Sequence, residues 1–198
     1  MTASDEAAEA EPARPDPRRR RGLIIVNTGD GKGKTTAALG LAFRALGSGF
    51  KVFMVQYIKG KWKTGEKKLA DLLRTHADHL GLDVEIKPMG DGFTWITQNK
   101  EQDIATTREI WEVSKQAIAS GKYDLVVLDE INVVMKLGYL DPKEVVEFLK
   151  TKDPDLHVVL TGRGAPAEVC DLADCVSEVK MVKHHYKAGV KAQQGIEF

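Results

Sequence analysis

Hydrophobic residues recur along this chain in two alternating rhythms. Short apolar runs at 23–26, 52–57, 125–128 and 156–160, with a mixed run at 83–87, have the length of strands. The unbroken runs read as strands buried on both faces of a parallel sheet. Between them, apolar residues fall three and four apart. Residues 35–46 place Ala38, Leu39, Ala42 and Ala45 or Leu46 at that spacing, and Gly47-Ser48-Gly49 ends the helix. Helices are also expected at 66–80, at roughly 101–119, where Ile104, Trp111 and Ile118 stand seven apart, and from Pro142 behind Asp141 to about Lys150. A last helix and strand are expected within 166–183. This alternation predicts an α/β fold, one mostly parallel sheet with helices on both faces, in which ligands collect at the carboxyl ends of the strands.

The chemistry of the sequence falls at those ends. The first strand runs into Gly29-Asp30-Gly31-Lys32-Gly33-Lys34-Thr35-Thr36 and then into the first helix. A phosphate-binding loop needs glycines that let backbone N–H groups turn inward, a lysine for the phosphate oxygens and a hydroxyl for Mg²⁺. Gly29, Gly31, Gly33, Lys34 and Thr35 supply these, and the helix N-terminus adds partial positive charge. The spacing departs from the usual G-x-x-x-x-G-K-[ST], because Thr28 stands where the first glycine is expected and Gly29 follows it. A Mg²⁺ ion on such a loop calls for a carboxylate at the end of a neighbouring strand, and Leu125-Val126-Val127-Leu128 ends in Asp129-Glu130. Either acid is a candidate ligand beside Thr35. Asn99-Lys100-Glu101-Gln102 lacks the Asp of a guanine-reading motif and precedes the acidic strand, which argues against GTP. From the residues alone the chain is a P-loop NTPase of the RecA-like kind and a Mg²⁺-dependent nucleotide enzyme.

Composition narrows the class without changing it. The chain has 198 residues, enough for one domain, with 42% hydrophobic and 29% charged residues, and its 29 basic residues balance 29 acidic ones. A nucleic-acid partner is not expected, since the lysines at 59, 61, 63, 67 and 68 read as a solvated face. Residues 1–21 contain no Val, Ile, Leu, Phe, Trp or Tyr and read as a disordered arm before a domain at 22–198. The apolar stretch behind Arg18–Arg21 is too short for an export signal, and no run reaches membrane-spanning length, so no membrane partner and a cytoplasmic location are expected. Cys170 and Cys175 read as free thiols.

Several segments together resemble the ATP:corrinoid adenosyltransferases of the bacterial cobalamin pathway. These are the opening from Val26 through the loop to Ala37, Val55-Gln56-Tyr57-Ile58-Lys59-Gly60, Gly92-Phe93-Thr94-Trp95, Leu128-Asp129-Glu130, Leu160-Thr161-Gly162-Arg163-Gly164, and the tail that ends Gly195-Ile196-Glu197-Phe198. The resemblance implies transfer of the adenosyl group of ATP to the Co(I) of a corrinoid, with triphosphate as leaving group. It implies that Phe93 and Trp95 press on the lower face of the corrin and displace its axial ligand, so that a cellular electron donor can reduce Co(II). It implies that Lys34, Lys32 and the loop amides stabilise the departing triphosphate, and that the chain is a homodimer. Arg44 and Arg163 are candidate phosphate or ribose contacts, and His184 and His185 lie near the tail motif. Members of the family often carry an N-terminal helix that covers the partner's site; Pro12, Pro15 and Pro17 oppose such a helix here. The rival readings are a small-molecule kinase releasing ADP and a nucleotide-binding module or motor acting on nucleic acid.

Overall fold

The computed structural model describes residues 21–60, 64–90 and 99–198. The strands are β1 (Ile24–Thr28), β2 (Val52–Gln56), β3 (Val84–Pro88), β4 (Leu125–Asp129), β5 (His157–Thr161) and β6 (Cys175–Glu178). They form one sheet in the order β3-β2-β4-β5-β1-β6, with every pairing parallel. The helices are α1 (Lys34–Gly47), α2 (Gly65–Thr75), α3 (Ala77–Leu80), α4 (Lys100–Ala119), α5 (Ile131–Lys136), α6 (Pro142–Leu149) and α7 (Ala167–Leu172), with a 3₁₀ turn at His185–Ala188.

Alternation along the strands builds the two halves of the core. Val26, Phe53, Val55, Val126, Leu128, Val158 and Leu160 point to one face and pack with Ile110, Trp111, Ile118, Val145 and Leu149 of α4 and α6. Val52, Met54, Val84, Ile86, Leu125, Val127 and Val159 point to the other, under Ala38, Ala42 and Ala45 of α1 and Ala70 of α2. The alanines of α1 let its backbone approach the sheet closely. Trp111 is fully buried, and its indole N–H donates to the partly exposed Glu144 at 2.7 Å, so the ring's polar edge finds a partner at the rim of the core.

The expected strands are present, but β1, β4 and β5 run one or two residues farther toward their carboxyl ends than their apolar runs, while β2 ends at Gln56, one residue short of its run. Asn27, Gln56, Asp129 and Thr161 are polar, yet they remain within the strands and are buried. The helix expected at 66–80 breaks at His76. There the Thr75 hydroxyl donates to the Asp71 carbonyl at 2.9 Å, competing with the helical ladder. The short helix α5, too brief to leave a periodic signature, follows Glu130 directly. Asn99, from the segment that resembled a guanine motif, caps α4 by accepting from the Gln102 N–H. Asp141 caps α6 in the same way through the Lys143 N–H.

Candidate functional site

Because all strands are parallel, the loops after β1, β4 and β5 leave the same edge of the sheet. β5 lies between β1 and β4, and this insertion brings a third set of residues between the phosphate loop and the acidic strand. The loop from Gly29 to Gly33 passes into α1, whose first residue is Lys34. Lys34 is buried, and its Nζ donates to the Gly31 carbonyl at 2.7 Å. Burial pushes its ammonium below the ordinary lysine range, against the pull of Glu130, and the charge of Arg163 adds to the depression.

The three loop glycines have different reasons to be there. Gly33 adopts a φ of 127° with open space around its Cβ position, so the backbone conformation excludes larger residues. At Gly31 the constraint is a neighbour: an added Cβ would lie 2.8 Å from the backbone of Lys180. Gly29 meets both conditions, with a φ of 95° and the Val179 carbonyl 2.5 Å from an added Cβ. The chain leaving β6 is hydrogen-bonded here, as the Gly31 N–H donates to the Val179 carbonyl at 2.7 Å. The displaced first glycine thus has a packing explanation in the strand beside it.

Asp129 ends β4 with no exposed surface. Its Oδ1 accepts from the Thr35 hydroxyl at 2.8 Å and from the Thr161 hydroxyl at 2.7 Å, and its Oδ2 faces the Gln56 amide at 3.4 Å. Burial pushes the Asp129 carboxyl up, and these donors oppose the shift. Thr161 also accepts from the Glu130 N–H at 2.9 Å, so one hydroxyl bridges both acids. Glu130 adopts a left-handed backbone (φ 65°), the single non-glycine residue to do so among those described. The conformation turns its side chain out of the strand direction into the cleft beside Lys34 and Arg163. Burial, with Asp129 beside it, pushes the Glu130 carboxyl up to about 6.

The cleft has a volume of about 530 Å³ and is lined by the loop from Gly31 to Thr36, by Lys59 and Glu66, by Glu130 and Arg163, and by His184 with Gly195–Phe198 of the tail. Lys59 was assigned by sequence to a solvated face. It is instead half-buried and paired with Glu66 at 3.0 Å, and Gln56 donates to the same Glu66 oxygen at 3.3 Å. Burial alone would raise the Glu66 carboxyl, but its hydrogen bonds and Lys59 hold it below the usual range. Phe93 and Trp95 lie outside the described residues. The strand that leads to them, β3, ends at the same sheet edge as the loop, and Gly90 packs against the backbone of Tyr57 and Ile58.

Comparison with known proteins gives the family of the chain. The profile of the family described as ATP:corrinoid adenosyltransferase BtuR/CobO/CobP matches residues 20–198. A protein of Escherichia coli (strain K12) named corrinoid adenosyltransferase is 48% identical over 90% of this chain and 86% of its own. One of the same name from Sinorhizobium sp is 44% identical over 90% of this chain and 81% of its own. A third, corrinoid adenosyltransferase CobA of Salmonella typhimurium, is 47% identical over 90% of this chain and 86% of its own. This chain belongs to the ATP:corrinoid adenosyltransferase family.

Membership makes the chain a transferase that uses ATP and a corrinoid, and the kinase reading is not favoured. Two residues of the candidate site escaped sequence reasoning as individuals, Gln56 and Thr161. Their signal was available: each is the polar residue that closes an apolar strand. Nothing in the sequence separated them from ordinary strand ends, since their value lies in reaching a carboxylate 73 and 32 residues away. Arg44 lies in the last turn of α1 and is not among the residues lining the cleft, whereas Arg163 is.

Proposed function

We propose that this chain transfers the 5′-deoxyadenosyl group of ATP to the Co(I) of a corrinoid, cobalamin or a precursor, and releases triphosphate. The observation that carries the reading is the meeting of the phosphate loop with the buried Asp129–Thr161 pair through Thr35 at the floor of one cleft, in a chain of this family. The corrinoid cobalt is the nucleophile. Its electron pair attacks C5′, the cobalt–carbon bond forms as the C5′–oxygen bond breaks, and the bonding pair leaves on triphosphate. Since Co(I) needs no deprotonation, no general base is required. The protein's task is to align the reactants and stabilise charge on the leaving group.

Residues of the cleft divide that task. The loop Gly29, Asp30, Gly31, Lys32 and Gly33 wraps the phosphates: its amides other than that of Gly31, which is held by Val179, and the N-terminus of α1, with Thr35 and Thr36, cradle phosphate oxygens. Lys34 and Lys32 neutralise them. Lys34 is suited to this, because a polyanion beside it restores the charged form that burial disfavours. The oxygen donors fit a hard cation such as Mg²⁺. Asp129 has both carboxylate oxygens engaged with Thr35, Thr161 and Gln56, whereas Glu130 faces the cleft. Thr35 and Glu130 would therefore hold the ion directly, with Asp129 fixing the Thr35 hydroxyl from behind. When bound, Mg²⁺ supplies neutralisation of the triphosphate charge.

Phe93 and Trp95 would press on the corrin and displace its lower ligand, which lowers the acceptor orbital and lets a mild electron donor reduce Co(II). The family resemblance and the end of β3 at the loop's edge of the sheet support this placement. A homodimer in the cytoplasm, with a separate reductase partner and no nucleic-acid or membrane partner, completes the reading. Among the described residues no helix is long and apolar enough to cross a membrane. Incubation with ATP and chemically reduced cobalamin, followed by product identification, tests the function. Adenosylcobalamin and triphosphate are expected; ADP with unaltered corrinoid would refute it.

A further inference from the structure

The chain beyond β6 does not leave the molecule but returns to the phosphate loop. It is anchored there at Val179, which accepts from the Gly31 N–H at 2.7 Å and donates to the Thr28 carbonyl at 2.8 Å. Eighteen residues later it meets the same loop again. Lys32 Nζ lies 2.9 Å from Glu197 Oε2 and donates to the Ile196 carbonyl at 3.3 Å. The terminal turn is closed by the Gly195 N–H on the Phe198 carbonyl at 2.8 Å and the Glu197 N–H on the Gln193 carbonyl at 2.9 Å. The other oxygen of Glu197 is buried, 3.1 Å from His185 Nε2.

Charge explains why a carboxylate settles at this point. Lys32, Lys34, Lys59 and Arg163 all line the cleft. Lys59 is paired with Glu66, and Glu130 faces Lys34 and Arg163, which leaves Lys32 to the carboxylate that the tail brings back. An oxyanion hydrogen-bonded to a loop lysine is chemically what a phosphate oxygen of a bound triphosphate would be.

We propose that Glu197 is an internal stand-in for phosphate: its carboxylate holds Lys32 in the free protein and must release it when the triphosphate of ATP arrives. The inference rests on the reading of the cleft as the ATP site. The tail is then a tethered competitor for Lys32, weakening the hold on substrate triphosphate and on the released triphosphate alike. In the free protein the same contact keeps the loop and its lysine ordered.

Calorimetric titration of the full chain with ATP and with inorganic triphosphate tests this in wild type and in Glu197→Gln. The substitution keeps the shape of the side chain, and Glu197 belongs to neither half of the hydrophobic core. Glu197→Gln is expected to bind both ligands about two- to fivefold more tightly, the scale of one partly exposed ion pair. Deletion of residues 195–198 is expected to act in the same direction. Lys32 itself is followed by competitive acetylation read by mass spectrometry: labelling should be faster in Glu197→Gln, and inorganic triphosphate should slow it in both proteins. Unchanged or weaker binding by Glu197→Gln, or Lys32 labelling that triphosphate does not slow, overturns the stand-in role while leaving the ATP site intact. Failure of the unaltered chain to bind either ligand overturns both.

Discussion

Thr161→Val is the sharpest probe of how the site is held together. The substitution leaves the branched shape and removes the hydroxyl, which donates to Asp129 Oδ1 at 2.7 Å and accepts from the Glu130 N–H at 2.9 Å. A hydrogen bond to a charged acceptor contributes roughly 1.5–3 kcal/mol, and stranding a buried partner costs about 1–3 kcal/mol more. Thr161 has no exposed surface, so water cannot replace it. Taken at the low end of that range, about 3 kcal/mol corresponds to a fall in Tm of roughly 6–12 °C for a domain of this size. Scanning calorimetry measures that fall, and urea titration gives the free energy. Thr161→Ser keeps the hydroxyl and loses one methyl, a change of about 1 kcal/mol. Activity should follow the hydroxyl too, since Asp129 without Thr161 holds Thr35 less firmly. A Thr161→Val protein within about 0.5 kcal/mol of wild type, or one no less stable than Thr161→Ser, would refute the bridging role.

Other substitutions separate stability from function. Glu130 has its carboxyl raised from 4.5 to about 6 in the metal-free protein. Between these values the folded state binds more protons than the unfolded, so this group's contribution to stability falls as pH rises through the window. Glu130→Gln should therefore stabilise the chain in chelator by about 2 kcal/mol at pH 8, with the gain shrinking toward pH 4.5 in urea titrations, while adenosyl transfer is lost. Gly31→Ala would drive a Cβ into the Lys180 backbone at 2.8 Å; a loss of about 1–3 kcal/mol and weaker ATP binding are expected by urea titration and calorimetry. Phe93→Ala or Trp95→Ala should slow adenosylation that starts from Co(II) far more than it weakens ATP binding, and equal losses would sink their proposed role on the corrin.

Local patterns were enough to place the α/β alternation, the phosphate loop and the acidic strand. Apolar runs, helical spacing and a Gly-Lys-Thr turn are each written within about a dozen consecutive residues, and the physics that reads them is equally local. The boundaries failed where local rules reverse sign. Asp129 and Thr161 are polar, so an apolar run appears to stop before them, yet each continues its strand because polar partners, Gln56 among them, satisfy the pair across the sheet. The helix break at His76 and the short α5 had no periodicity to announce them. Tertiary structure alone decided the strand order, which puts Thr161 between the loop and Asp129. It also set the two acids apart, since left-handed backbone at Glu130 turns one outward while Asp129 stays bonded inside. The return of the tail to Lys32 joins residues 165 apart, and nothing in the spacing of either segment encodes that meeting. Sequence determined what each segment forms; packing over long separations determined which polar groups face one another.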